Sequence, residues 1–462
     1  MRRAAFIALA SLATLAATRG FSPPGAAAEP RGSEIRQLLR EVPVMDGHND
    51  IPWQYRLRAA NDLGAIDLAA GTAALKRPLT TDIPRLRAGG VGGVFWSVYV
   101  PVTLRGSVAV RATLEQIDLV HRLCAKHPDA LQLARSADDI ERIQRSGRVA
   151  SLIGIEGGHS IDNSLATLRM MHALGARYMS LTHAANTDWA DSATDDPRAR
   201  GLTPFGEDVI REMNRLGMLV DLAHVSKDTM LAAMKASKAP VIFSHSSARA
   251  LCDHPRNVDD ETLRLLRANG GVIMINFFPG YLVKAHAAFA VKLQAERKRL
   301  QALHSDNFAA LDDALAVWRK SNPPPPDATL SDVADHLDHV LKVAGEDHVG
   351  LGSDFDGITY TPRGLEDVSC FPALFAELQR RRWTKDEMKK LAGRNILRVM
   401  HTAERVAAES AKGRSVQIPG ATSPRRALRP ALPPVGVSCG SPSRPGTPSP
   451  RAAPRLRRTA GP

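Results

Sequence analysis

Cysteine is scarce in this 462-residue chain: Cys124, Cys252, Cys370 and Cys439 are the four, and none forms a C-x-x-C pair. That excludes a zinc ribbon and a thioredoxin-like redox pair, and the wide spacing leaves no disulfide connectivity readable. A G-x-G-x-x-G fingerprint and a phosphate-binding loop are also missing, which argues against a nucleotide enzyme. Neither H-E-x-x-H nor G-x-S-x-G occurs, so the commonest single-zinc peptidase signature and the serine-hydrolase elbow are absent; Ser246 and Ser247 beside His245 are not read as nucleophiles. Aromatic residues make up only 5% of the chain. Acidic residues vanish entirely after Ala411.

This last absence explains the charge. Of the net +13, ten units lie in residues 412–462 and three in residues 1–28, so residues 29–411 are neutral and a nucleic-acid partner is not expected. The first 28 residues read as a signal peptide: Arg2 and Arg3, an apolar stretch Ala4–Ala17, then Ala26-Ala27-Ala28 as a small-residue cleavage site. The apolar stretch is too short and alanine-rich for a stable membrane span. Export to a periplasm or the outside is expected. Residues 412–462, rich in Pro, Ser and Arg, are expected to be a disordered tail. The expected folded domain is 29–411, ample for a large core.

Within it, eight strand-like apolar runs recur between Pro43 and Gly357, separated by segments of helical spacing such as Phe205–Leu216 and Ser226–Ala236. Continuous apolar strands alternating with helices predict an α/β fold, a (β/α)8 TIM-type barrel, in preference to an open doubly wound sheet. A segment at 281–326 is longer than a barrel connection needs; its composition, Val291–Leu303 included, predicts a helical insertion ending at Pro323-Pro324-Pro325-Pro326. Thr384-Lys385-Asp386-Glu387 reads as a capping box opening the closing helix.

The strand ends carry the chemistry. His48 and Asp50 are two apart, a spacing that lets both face one side of an extended strand. Glu156, His183, His224 and His245 each end an apolar run, and Asp354 ends another. Barrel enzymes place functional groups at the C-terminal ends of strands. Imidazole with carboxylate favours zinc or a similar divalent ion. One arrangement puts His48 and Asp50 on one ion, His224 and His245 on a second, and Glu156 across both. Two ions sharing a site lower the pKa of a water and polarise the oxygen under attack. His159, His172, His254 and His401 are read as structural.

These stretches resemble the membrane dipeptidase (renal dipeptidase) family of zinc metallopeptidases. The resemblance runs from Asp46-Gly47-His48-Asn49-Asp50-Ile51-Pro52-Trp53 through Glu156-Gly157-Gly158-His159, Asp221-Leu222-Ala223-His224, Phe243-Ser244-His245 and Arg256-Asn257-Val258. It continues through Asp354-Phe355-Asp356-Gly357 to Asn395–Val399. It implies a barrel with two Zn2+ per subunit bridged by Glu156, and a homodimer that hydrolyses dipeptides, including those with a C-terminal D-residue. It also implies roles: His183 steadying the developing oxyanion, Arg256 reading the substrate's terminal carboxylate, Asp354 transferring the proton with Asp356 as rival, and Trp53 and Tyr281 walling the pocket. Departures are Ala185 in place of a cysteine, the long insertion, and an Arg- and Pro-rich end in place of a lipid-anchor signal. Rival readings are a metal-dependent amidohydrolase acting on a non-peptide amide or lactone, and a non-catalytic peptide-binding barrel. The His-x-Asp start favours the dipeptidase branch over the His-x-His start of many amidohydrolases.

Overall fold

The computed structural model describes residues 29–304 and 308–412. Nine parallel strands form one sheet: β1 (Val44–Asn49), β2 (Val91–Ser97), β3 (Leu131–Leu133), β4 (Val149–Ile155), β5 (Ala176–Ser180), β6 (Leu219–Asp221), β7 (Ile242–Phe243), β8 (Val272–Ile275) and β9 (Val349–Leu351). The order β2-β1-β9-β8-β7-β6-β5-β4 closes through a β2–β4 pairing that runs from Gly93↔Ala150 to Ser97↔Gly154. Eight strands therefore make a closed parallel barrel, as expected. β3 is an addition. It pairs only with the first residues of β4, below the point where β5 takes over the same edge.

The strands are apolar and buried on both faces because helices cover the outside and side chains fill the inside. Met45, Phe95, Leu152, Tyr178, Leu219, Ile242 and Met274 belong to one interior cluster, with Ile396 and Val399 of the closing helix packed into it. A larger cluster lies between barrel and helices. Gly154 matters inside: a Cβ there would stand 2.0 Å from the Tyr178 ring, so glycine gives that ring its room.

The closing segment opens on the expected capping box at Thr384. It passes through a π-helical stretch (Lys390–Arg394) and continues as a helix to Lys412. The insertion forms two long helices, Lys284–His304 and Phe308–Ser321, with their own small core of Phe289, Leu293, Leu300, Leu311 and Leu315. Cys124, Cys252 and Cys370 are free thiols. Among the described residues, no helix is long and apolar enough to cross a membrane. The expected signal peptide, the disordered tail and Cys439 lie outside the described residues.

Candidate metal centre

Every metal ligand read from the sequence reaches the C-terminal mouth of the barrel. His48 is on β1, Glu156 follows β4 directly, and His224 and His245 come three and two residues after β6 and β7. His48 Nε2 lies 3.3 Å from Asp50 Oδ2 and 3.5 Å from Glu156 Oε2. The other oxygen, Glu156 Oε1, lies 3.0 Å from His224 Nε2 and 3.6 Å from His245 Nε2. All five residues are buried. Three overlapping sets, His48/Glu156/His245, Glu156/His183/His224 and His48/Asp50/Asp354, each hold their donor atoms within 4.8 Å of one another.

One expectation about local structure needs correcting. His48 and Asp50 do not converge through strand alternation. β1 ends at Asn49, and Asp50 (φ −100°, ψ 24°) is the residue at which the helix Ile51–Ala59 begins. The turn, followed by Pro52 in the first helical turn, brings the carboxylate back over the imidazole.

Two of the imidazoles, His48 and His245, are aimed by their other nitrogen. The Tyr178 hydroxyl donates to the Gly47 carbonyl (3.3 Å) and lies 2.8 Å from His48 Nδ1. The Nδ1–H therefore donates to Tyr178, and Nε2 is left buried beside Asp50 and Glu156 without a hydrogen-bond partner. Ser244 Oγ donates to Asp221 Oδ2 (2.7 Å) and lies 2.8 Å from His245 Nδ1, which fixes that ring in the same sense. Asp221 also accepts from the Ser180 hydroxyl (2.5 Å) and from the backbone amides of Ala223 and Ser244. An orphaned His48 Nε2, with His224 and His245 Nε2 only 2.9 Å apart beside the same buried carboxylates, fits a divalent cation, and outer hydrogen bonds of this kind set tautomer and ligand basicity. Tyr178→Phe is expected to weaken divalent-ion affinity by about 10- to 100-fold, read by competition against a chelator; unchanged affinity would remove Tyr178 from this role.

Electrostatics point the same way. Burial alone would raise the Glu156 carboxyl, but the imidazoles of His48, His183 and His224 around it hold it well below the usual carboxylate range. In return, against the pull of burial, Tyr178, Glu156 and Asp50 raise His48 well above the ordinary imidazole value, so a positive charge is favoured where these groups meet. Burial pushes His224 and His245 well below the ordinary imidazole value, which keeps them neutral, the form that ligates. His224 also adopts φ +72°, a left-handed conformation that costs a histidine about 1–2 kcal/mol. Strain of this sort collects at functional sites.

The residues assigned to substrate surround this ring. His183 Nε2 is 3.4 Å from Glu156 Oε1, its Nδ1 has no partner among the described residues, and burial lowers its pKa. Arg256 is 2% exposed, donates to Ser246 Oγ (3.3 Å) and the His245 carbonyl (3.1 Å), and lies 5.3 Å from the centre of the Tyr281 ring. Trp53 meets Tyr99 edge-on at 4.8 Å, and Tyr99 packs 4.9 Å from His183. Asp354 joins His48 and Asp50, whereas Asp356 turns away to accept from the Thr80 amide at 2.8 Å. Both have positive φ (63° and 66°), so a loop conformation, not strand alternation, separates these two carboxylates.

Sequence reasoning missed Tyr99, Tyr178, Asp221, Ser244 and Asn276. Asn276 carried a signal, since it directly follows β8 and donates to Asp354 Oδ2 at 2.8 Å. His254, read as structural, accepts from the Arg256 amide (3.1 Å) and packs 4.7 Å from Tyr281, so it supports the arginine.

A closed parallel barrel whose mouth gathers histidines and carboxylates around a carboxylate they share defines a metal-dependent hydrolase. More particularly, the chain belongs to the membrane dipeptidase family (Peptidase family M19), whose model matches residues 33–414. It is 40% identical over 378 residues to Dipeptidase 3 of Rattus norvegicus, covering 81% of this chain and 67% of that protein. Dipeptidase verJ of Clonostachys rogersoniana is 40% identical over 385 residues, 81% of this chain and 87% of that one. Among solved structures, a metallopeptidase of Rhodobacter sphaeroides liganded with a phosphinate mimic of L-Ala-D-Ala superposes with a TM-score of 0.64. At 24% identity, over 78% of this chain and 99% of that one, this likeness speaks for the fold. The chain is a metallopeptidase of the dipeptidase type.

Proposed function

We propose that this chain is an exported dipeptidase holding two zinc ions per subunit, with Glu156 bridging them. The observation that carries this reading is the divergence of the Glu156 oxygens, Oε2 toward His48 and Oε1 toward His224 and His245. His48 and Asp50 would hold one ion and His224 and His245 the other, a donor set of nitrogen and oxygen atoms suited to zinc. Ions so placed would supply an acidified water and a polarised carbonyl.

The protein's own groups then divide the remaining work. Arg256, stacked on Tyr281, binds the planar terminal carboxylate of the substrate and sets its length. His183, kept neutral, presents its imidazole beside the scissile carbonyl and steadies negative charge as it develops. Asp354, held by Asn276, accepts a proton during attack and returns it to the departing amine. The phosphinate mimic of L-Ala-D-Ala in the Rhodobacter sphaeroides relative supports acceptance of a C-terminal D-residue. The basic start, Ala4–Ala17 and Ala26-Ala27-Ala28 support export, and membership of the family supports a homodimer.

Metal analysis of the purified protein, combined with hydrolysis of matched L,L and L,D dipeptides, tests the reading. About two zinc ions per subunit and cleavage of both peptides are expected. Turnover confined to cyclic amides or lactones would replace it by the amidohydrolase alternative; peptide binding without turnover by metal-loaded protein would replace it by a binding barrel.

A further inference from the structure

A fully buried asparagine stands directly behind Asp354. Asn276 comes immediately after β8 and donates from Nδ2 to Asp354 Oδ2 at 2.8 Å. Each of its other polar atoms is already bound. The main-chain N–H donates to the Ser246 carbonyl (3.3 Å), and the main-chain carbonyl accepts from the Ser247 hydroxyl (3.2 Å). The side-chain Oδ1 accepts from the Phe278 amide (2.5 Å). A backbone N–H only donates, so the oxygen end of the side-chain amide faces Phe278 and the nitrogen end is left for Asp354. Ser246, which holds the Asn276 main chain, follows His245 and accepts from Arg256 through its hydroxyl (3.3 Å). One short segment therefore carries a metal ligand, steadies the carboxylate anchor and sets where Asn276 Nδ2 points.

This contact makes the two oxygens of Asp354 unlike. The Asp354 main chain is tied to β1, its N–H donating to the His48 carbonyl at 3.1 Å. Oδ2 is turned to Asn276. Oδ1 lies on the side of Asp50, since a Cβ built on Gly357 would stand 2.7 Å from Asp354 Oδ1 and 2.1 Å from Asp50 Oδ2. A protonated carboxyl has one O–H donor and accepts best through its other oxygen, so the oxygen facing an amide N–H is the one that stays bare. Swinging the carboxyl away would leave a buried N–H unpaired, which resists the motion. The asparagine thus fixes both the direction of the carboxyl and the division of labour between its oxygens.

We propose that Asn276 is a positioning residue whose amide N–H holds Asp354 Oδ2 as a standing acceptor, so that Oδ1 alone carries the proton. This inference rests on the dipeptidase reading above and deepens it. Oδ1 takes a proton from the attacking water as the new C–O bond forms, and yields it to the peptide nitrogen as the C–N bond breaks. The test is kcat, KM and bound metal of the full-length, metal-loaded protein on Ala-Ala, for the unaltered chain, Asn276→Asp and Asn276→Ala. Asn276→Asp separates a donor from a space-filling group: it keeps the shape and the oxygen facing Phe278, but turns an acceptor toward Asp354. In both variants kcat is expected to fall about 100-fold, with KM within about two-fold and metal content unchanged. Asn276→Asp with kcat close to that of the unaltered chain overturns the proposal, because shape alone would then suffice. A loss of bound metal, or a loss expressed in KM, overturns it too, by moving the effect to ion or substrate binding. Asn276→Ala, which introduces no buried charge, carries the test alone if Asn276→Asp does not fold, and undiminished kcat in it overturns the proposal. Each of these results leaves the dipeptidase reading standing, whereas no cleavage of Ala-Ala by the unaltered chain overturns both.

Discussion

Asp354→Asn is expected to reduce kcat on a small dipeptide by a factor of about 100 to 10,000, the range for removal of a proton-transfer group, with metal content unchanged. The substitution is nearly isosteric and keeps a hydrogen-bonding group opposite Asn276, so the loop should hold its shape. What disappears is the capacity to accept and return a proton. Desolvation pushes the Asp354 carboxyl up to about 8, with the negative charges of Asp50 and Glu156 adding to the rise and His48 opposing it. A carboxyl with a raised pKa keeps its proton to higher pH, and the ionised form that can act as base appears as pH increases. Bound cations favour that ionised form and draw the transition downward. The acid limb of kcat/KM should therefore fall below pH 8 in the metal-loaded enzyme and be missing from the residual activity of the variant. Ordinary turnover by Asp354→Asn would move the proton transfer to another group.

Why Asp354 and not Asp356 could not be settled from spacing alone. The two are separated by one residue, and alternation along a strand would have put both on the same side. The chain has left the strand by then: β9 ends at Leu351, and both aspartates sit at positive φ, which sends one toward His48 and the other toward Thr80. The same limit appears at His48 and Asp50, where the residues were right but a turn, not the pleat, makes them meet.

What was legible was the material whose pattern is continuous. Eight apolar runs buried on both faces announced the barrel, and a polar ligand at or just beyond the end of several of them announced the mouth. β3 was not legible because Leu131–Leu133 is a three-residue strand with Gln at its centre, too short to carry a period. The supports of the metal ligands were hidden for a different reason. Tyr178 and Asp221 lie inside strands and read as ordinary core and polar positions; only the closed barrel puts Tyr178 against His48, 130 residues away, and Asp221 against Ser244. The helices of the insertion were foreseen from composition, but their attachment to Arg77 and, through His286, to Tyr360 depends on tertiary geometry that no local pattern encodes.

Gly357→Ala should produce a comparably large loss, at least about 100-fold in kcat/KM, by a route that removes no ligand and no proton carrier; displacing a reacting group by an ångström is enough for a loss of that size. A Cβ at this position would stand 2.1 Å from Asp50 Oδ2 and 2.7 Å from Asp354 Oδ1, far inside contact distance of two carboxylates that face His48. The Gly357 amide also donates to the Asp354 carbonyl (3.1 Å), so backbone movement that relieves the clash drags Asp354 with it. Divalent-ion affinity should fall together with turnover, because Asp50 is the group displaced furthest. The glycine is exposed at the mouth, so the core is untouched; overpacking of about 1–3 kcal/mol should lower the Tm of a chain this size by only a few degrees. Thermal melts and metal content measured on the same preparation separate the two effects. A variant with normal metal content and normal turnover would show that Asp50 and Asp354 do not need the space above Gly357, and would weaken the assignment of both carboxylates to the reacting centre.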